Sequence, residues 1–161
     1  NAENLCATVS VLKQIIPEDD VNKFLGSYKG VKRRYQTLYE DDNFKLIDDF
    51  AHHPTAIAET QKIAKNESSN IVQIIELGSN SMRSGIHDQK LKSIFASCET
   101  YTINASNEQK EKFKDVAKEL QQEDISKILS IHAERKLILM CGNKNFQGFQ
   151  KLILDMLTKS L

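Results

Sequence analysis

The sequence predicts an α/β protein with a mostly parallel sheet, and three observations carry that prediction. Short, nearly continuous apolar runs such as "NIVQIIEL" (70–77) and "KLILMC" (136–141) read as strands buried on both faces. From residue 43 onward such strands alternate with segments of helical period. The polar segments "DDFAHHP", "GSNSMRSG" and "CGNKNFQG" each follow one of the strands, and ligands of parallel α/β sheets gather at the carboxyl ends of strands.

The elements follow in chain order. Asn1-Ala2 reads as a tag remnant. "NLCATVSVLKQI" places Leu5, Val9, Leu12 and Ile16 at helical spacing. Pro17 and the acids after it open a second short helix, "PEDDVNKFLGSY". A basic turn, "YKGVKRRYQ", leads into "RRYQTLYEDDNFKLIDDFA", two strands joined by a tight "EDDN" turn. After Pro54 the period becomes helical from Thr55 to about Lys65, with Ile57, Thr60, Gln61 and Ala64 on one face. Beyond the strand at 70–77 come a loop "GSNSMRSG", a helix "DQKLKSIFAS", a strand "ETYTIN" and a charged helix "NEQKEKFKDVAKELQ". "EDISKILSIHAE" is helical, with Ile125, Ile128, Leu129 and Ala133 on one stripe. The strand at 136–141 is followed by a loop "NKNFQGF" and a closing helix "QKLILDMLTKSL". The whole reads as a Rossmann-like sheet with helices on both faces, preceded by short helices.

Composition narrows the partners. The 161 residues suit one domain with a real core. Twenty-two basic residues meet 22 acidic ones, which argues against bulk binding of nucleic acid or a membrane surface, since both need a basic excess. No apolar run approaches the roughly 20 residues of a membrane span, and no signal peptide opens the chain, so a cytoplasmic protein is expected. Cys6, Cys98 and Cys141 are scattered and lack zinc spacing, so they read as reduced thiols.

Four chemistries compete for the polar segments. Asp48, Asp49, His52 and His53 offer metal-ligand types, but adjacent histidines on an extended turn diverge, and no metal is expected. Cys141 ends a buried strand, where a small buried apolar residue outweighs a nucleophile. Neither GxxxxGK[ST] nor GxGxxG occurs, so another domain or polypeptide must hold most of any nucleotide's phosphates. The turn "DDFAHHPT" has two readings that both stand. One is a ligand-facing turn, with Pro54 at the first helical position and His52 or His53 beside exposed amides; the other is a capped helix whose acid satisfies the turn. Arg33 and Arg34 are either a solvated face or a grip on phosphate.

"GVKRRYQ" followed by "DDFAHHPTAIAET" resembles the C-terminal domain of the Mur ligases, the ATP-dependent ligases of peptidoglycan precursors. The Phe50-Ala51 version is most similar to the branch that recycles murein peptides; the L-alanine-adding branch usually has tyrosine-glycine there. "SNSMRSGIH" (79–87) and "NKNFQG" also resemble loops of the recycling branch. Leu77-Gly78 stand where that branch tends to have proline-arginine, and Lys144-Asn145 where it has glycines. The resemblance, from about Asn4 to Leu161, implies that residues 1–28 are the last helices of a central ATPase domain absent from this chain, and that 29–161 are the C-terminal domain. It implies a substrate-binding and lid domain of a ligase that joins L-alanyl-γ-D-glutamyl-meso-diaminopimelate to UDP-N-acetylmuramate through an acyl phosphate. ATP and magnesium would be bound mainly by the central domain, with no cofactor on this fragment and no activity from it alone. By the same resemblance Arg34 reaches the ATP phosphates, Asp49 lies near the ribose, and His52 lies by the nucleotide and incoming amine. Ser79, Asn80, Ser81, Asn143 and Phe146 face the tripeptide, while Arg33 and His53 shape the turn. Two alternatives remain: the corresponding domain of an L-alanine ligase, and a non-catalytic peptide- or nucleotide-binding module.

Overall fold

A computed structural model describes residues 2–28, 30–131 and 134–159. They fall into two compact units, divided between Arg34 and Tyr35, beyond the domain boundary expected at 28/29. The first unit holds helices α1 (Ala2–Leu12) and α2 (Glu18–Ser27). The carbonyl of Leu12 accepts from the amides of both Ile15 and Ile16, so the α1 stripe stops short of Ile16. Pro17 lies just ahead of α2, whose first turn carries Glu18, Asp19 and Asp20, the sign of charge that a helix N-terminus favours.

The second unit is a six-stranded sheet in the order β1-β2-β6-β3-β4-β5. Its strands are β1 (Gln36–Glu40), β2 (Phe44–Asp49), β3 (Ile71–Glu76), β4 (Glu99–Ile103), β5 (Lys118–Glu119) and β6 (Lys136–Cys141). Only the β1–β2 hairpin is antiparallel; the other four pairings are parallel. Asp41 closes the hairpin turn, its carboxylate accepting from the amides of Asn43 and Phe44.

Strand alternation sorts the side chains onto two faces. Ile47, Ile71, Ile75, Leu137 and Leu139 pack beneath α3 (Pro54–Glu67), α5 (Asp88–Phe95) and α6 (Asn107–Phe113). Phe44, Leu46, Val72, Ile74, Ile138 and Met140 pack beneath α7 (Asp124–Ile128) and α8 (Phe149–Lys159). The fold is therefore the expected mixed, mostly parallel sheet with helices on both faces. One polar knot interrupts the first face. Buried Gln61 and Gln73 bond each other and share the carbonyl of Ile94, and Gln73 also donates to Thr100 Oγ1. Both side-chain NH2 groups thus have acceptors, which is what burial requires.

Several further segments differ from the sequence reading. "GSNSMRSG" is not all loop: α4 (Asn80–Arg83) forms inside it, capped by Ser79 Oγ accepting from the Met82 amide. The charged helix ends at Phe113, because residues 118–119 pair with β4 as an edge strand. A Ser106–Gln109 capping box starts that helix, and the Phe113 carbonyl, accepting from both Val116 and Ala117 amides, terminates it. Pairing thus overrides the helical propensity of "KDVAKELQ". "NKNFQGF" contains a 3-10 turn at Phe146–Gly148. Ala133 of the expected stripe lies outside the described residues, as do Asn1 and Leu161.

Asp124 ties α7 to β5. Burial raises its pKa, but the Lys118 ammonium and the Gln121 amide together outweigh burial and hold it below its usual 3.8. A depressed folded pKa contributes stability above the unfolded value of 3.8, and that contribution disappears as pH falls through the folded pKa. Asp124→Asn is therefore expected to lose about 1 kcal/mol at neutral pH and to flatten the acid limb of the stability curve. Urea unfolding from pH 7 down to 3 measures both; parallel curves for the two proteins would refute the assignment.

Candidate functional site at the carboxyl edge of the sheet

Because β2, β6, β3 and β4 run parallel, their carboxyl ends share one edge, where the three polar segments lie. After β3 the chain turns to α5 on the first face; after β6 it turns to α8 on the second. Neighbouring strands whose connections part to opposite faces leave a crevice between their carboxyl ends, the usual ligand position in such sheets. The floor of that crevice is Glu76-Leu77-Gly78 from β3 and Cys141-Gly142-Asn143-Lys144 from β6.

The turn 48–54 is built by Asp49. It ends β2 and is 7% exposed. Its Oδ2 accepts from the Tyr35 amide and its Oδ1 from the Ala51 amide, each at 2.7 Å, while its carbonyl accepts from the Gly142 amide at 3.1 Å. Both carboxylate oxygens thus hold backbone, and one of them holds the residue directly after Arg34. His52 is half-buried, with Nδ1 2.9 Å from the Phe50 carbonyl and its ring edge-on to Phe50. His53 is exposed and caps α3, accepting weakly from the Thr55 amide. His53, not His52, touches the next loop: its ring meets His87 at 4.7 Å between centroids. Pro54 begins the helix as the sequence predicts.

The other expected site residues divide. Ser79 is half-buried, Asn80 and Ser81 are exposed on α4, and the Ser79 and Ser81 hydroxyls bond each other. Asn143 sits in the crevice with its Oδ1 buried and without a hydrogen-bond partner. Phe146 is 0% exposed and packs in the second core cluster. It anchors its loop from beneath rather than facing outward, which corrects the expectation that it faces a peptide. Arg34 is exposed in the first unit, on a cavity of about 310 Å³ lined by Asn4, Thr8, Phe24, Tyr28 and Val31 among others. Arg33 has positive φ, 57°.

Sequence reasoning missed the residue that organises the crevice. Glu76 is 1% exposed. Its Oε1 accepts from Asn104 Nδ2 at 3.1 Å and its Oε2 from the Lys144 amide at 2.9 Å, and Asn104 Oδ1 in turn accepts from Gln147 Nε2. Phe146 and Gln147 both hold positive φ, a strained choice for side-chain-bearing residues that the surroundings must impose. Burial of Phe146 and the Asn104 bond to Gln147 impose it. The available signal was a lone acid ending an otherwise apolar strand, "NIVQIIEL".

Cys141 is 0% exposed. Burial, and then the carboxylates of Asp49 and Asp48, push its thiol well above the ordinary range, so it stays protonated and does not act as a nucleophile. Among the described residues no three side chains of metal-binding type converge, and no helix is long and apolar enough to cross a membrane.

No family model matches the chain. A UDP-N-acetylmuramate–L-alanine ligase of Paramagnetospirillum magneticum is 35% identical over 78 residues, covering 47% of this chain and 16% of that protein. The UDP-N-acetylmuramate–L-alanyl-γ-D-glutamyl-meso-2,6-diaminoheptandioate ligase of Haemophilus influenzae is 26% identical over 151 residues, 86% of this chain and 33% of its own length. Among solved structures, the UDP-N-acetylmuramate–alanine ligase of Thermotoga maritima matches 98% of this chain and 37% of its own, with TM-score 0.70 and 20% identity. The chain therefore spans about a third or less of the relatives it matches. Its relatives in sequence are Mur ligases, and its fold is that of their C-terminal domains. Within that class its relatives divide between the ligase that adds L-alanine and the ligase that adds the tripeptide.

Two substitutions test how the edge is held. A Cβ on Gly142 would come within 2.7 Å of Glu76 Cβ and 2.9 Å of Phe146 Cε1, so Gly142→Ala is expected to lose about 1–3 kcal/mol by overpacking. Asp49→Asn is expected to lose a similar amount. An amide offers one acceptor oxygen where the carboxylate satisfies two amides. Denaturant midpoints equal to the parent's would show that these contacts do not hold the edge.

Proposed function

We propose that this chain is the substrate-binding and lid domain of an ATP-dependent ligase that joins L-alanyl-γ-D-glutamyl-meso-diaminopimelate to UDP-N-acetylmuramate in the cytoplasm. The observation that carries the reading is the length of the likeness to the tripeptide ligase, 151 residues, against 78 for the L-alanine ligase. The Phe50-Ala51 turn supports it. The second reading, an L-alanine ligase domain, is favoured by the higher identity, 35%, over the shorter stretch.

In the proposed reaction ATP phosphorylates the acceptor carboxylate, the substrate amine attacks the acyl phosphate, and the tetrahedral adduct expels phosphate. Magnesium would neutralise phosphate charge from the central domain, to which α1 and α2 belong in this reading. The domain's own contribution is positioning and the exclusion of water from an intermediate that hydrolyses easily. Arg34 would grip nucleotide phosphate. Its cavity, with an amide, a hydroxyl and two aromatic rings beside the guanidinium, has the chemistry of a base next to an anion. Asp49 would act through the backbone it holds, keeping the chain after Arg34 in place. His52, half-buried and fixed by its own turn, would face the closing nucleotide.

Three measurements test this. The 161-residue chain alone is expected to show no ATP hydrolysis or peptide-bond formation; turnover by it would refute the domain reading. In the full-length ligase, Arg34→Ala is expected to lower kcat/KM about ten- to a hundredfold, with Arg34→Lys rescuing only part. The ratio of kcat/KM for tripeptide to that for L-alanine separates the two readings: a preference for L-alanine selects the second.

A further inference from the structure

We propose that the Lys144 ammonium and the Arg83 guanidinium form the carboxylate clamp of the crevice, and that Asn143 Oδ1 takes an N–H of the substrate's amine. This rests on the ligase reading and names the groups that hold its amine substrate.

Lys144 is placed from two directions. Its amide donates to the buried carboxylate of Glu76, which fixes its backbone at the end of β6. Its side chain lies across Gly78, with Cδ, Cε and Nζ at 3.0, 3.1 and 3.5 Å from where a Cβ on that residue would stand. A Cβ at 78 would crowd that stem. From the other loop, Arg83 Nε donates to the Leu77 carbonyl at 3.4 Å, leaving its two terminal nitrogens for a planar anion. Two cations from different loops thus rest against one dipeptide at the end of β3.

Neither cation has a carboxylate partner among the described residues. Other cations of the second unit do have such partners: Lys45 with Glu67, Lys112 with Asp88, Lys118 with Asp124 and Arg135 with Glu40. Across residues 76–85 and 141–148 the formal charges are Glu76, Arg83 and Lys144, one net positive. The Glu76 oxygens already accept from Asn104 and Lys144 N–H groups, so that carboxylate does not neutralise the pair. Directly before Lys144 in the chain comes the Asn143 acceptor, buried and unpartnered, the arrangement that a missing donor leaves. Two unpaired cations and one orphan acceptor, at the point where the connections of the sheet part, fit a molecule that carries a carboxylate and an amine.

The test follows the Gly78 and Lys144 amides of the ¹⁵N-labelled chain by NMR during titration with the tripeptide, L-alanine and inorganic phosphate. Saturable shifts at both amides are expected with the tripeptide. Lys144→Ala and Arg83→Ala should each weaken binding about tenfold, the loss of one charge-assisted contact, and Lys144→Arg should keep most of it. Gly78→Ala, whose new methyl crowds the lysine stem, should weaken binding less than Lys144→Ala does while leaving the unfolding midpoint unchanged. Saturation by L-alanine with the same dependence on Lys144, and none by the tripeptide, would keep the clamp and overturn the tripeptide reading. Shifts that only phosphate saturates would overturn the carboxylate assignment. So would binding that Lys144→Ala leaves intact, or no saturable shift with either amine.

Discussion

Everything at the carboxyl edge depends on β6, which enters the sheet last and lies between β2 and β3. The chain builds β2, moves on to β3, β4 and β5, and returns to fill the slot it left. Without residues 136–141, β2 has no parallel partner and β3 has only β4, and Ile47, Ile74 and Ile75 lack half their neighbours in the sheet. The run "KLILMC" suits that place, since every residue is buried and a strand covered on both faces has no use for a polar side chain. The exception confirms the rule. Lys136 is 4% exposed, and its ammonium donates to the carbonyls of Ile128 and Ser130, while burial pulls its pKa down. A buried cation persists when it is hydrogen-bonded, and here it also stitches the end of α7 to the start of β6.

The return of β6 also creates the crevice. A strand that arrives from one direction and leaves toward the other face must part from its neighbour at its carboxyl end. Backbone amides exposed by that parting need acceptors. Two buried carboxylates supply them: Asp49 takes those of Tyr35 and Ala51, and Glu76 takes that of Lys144. Each acid ends a strand and holds the loop of another segment. The same arrangement tolerates strain at Phe146 and Gln147, because the loop is pinned at both sides of them.

The sequence made the sheet legible because its signals were local. Apolar runs, Pro54 at a helix start and the "EDDN" turn all speak within a few residues. What stayed hidden is decided across the sheet. "KDVAKELQ" is helical by propensity, yet its Lys118 and Glu119 form an edge strand because β4 is there to pair with them. Phe146 looks like an exposed loop aromatic until the second cluster claims it. Asp49 was marked as a site residue, and its position at the turn is right, but no sequence pattern says that its two oxygens are already occupied. Glu76 and Lys144 lie 68 residues apart in the chain, so their bond has no local trace at all.

The buried polar groups of this edge are spent on holding backbone, and precise placement of a loop demands rigid support of that kind. Cys141 illustrates the priority: at the carboxyl end of a central strand, beside Asp49, it is kept neutral by burial and neighbouring charge and serves as packing. The Tyr35 amide tied to Asp49 carries the same logic to the boundary between the two units. Arg34 has a long, flexible side chain, yet the residue after it is fixed to a buried carboxylate at the end of β2. The backbone leaving Arg34 therefore has no freedom of its own on the side of the second unit.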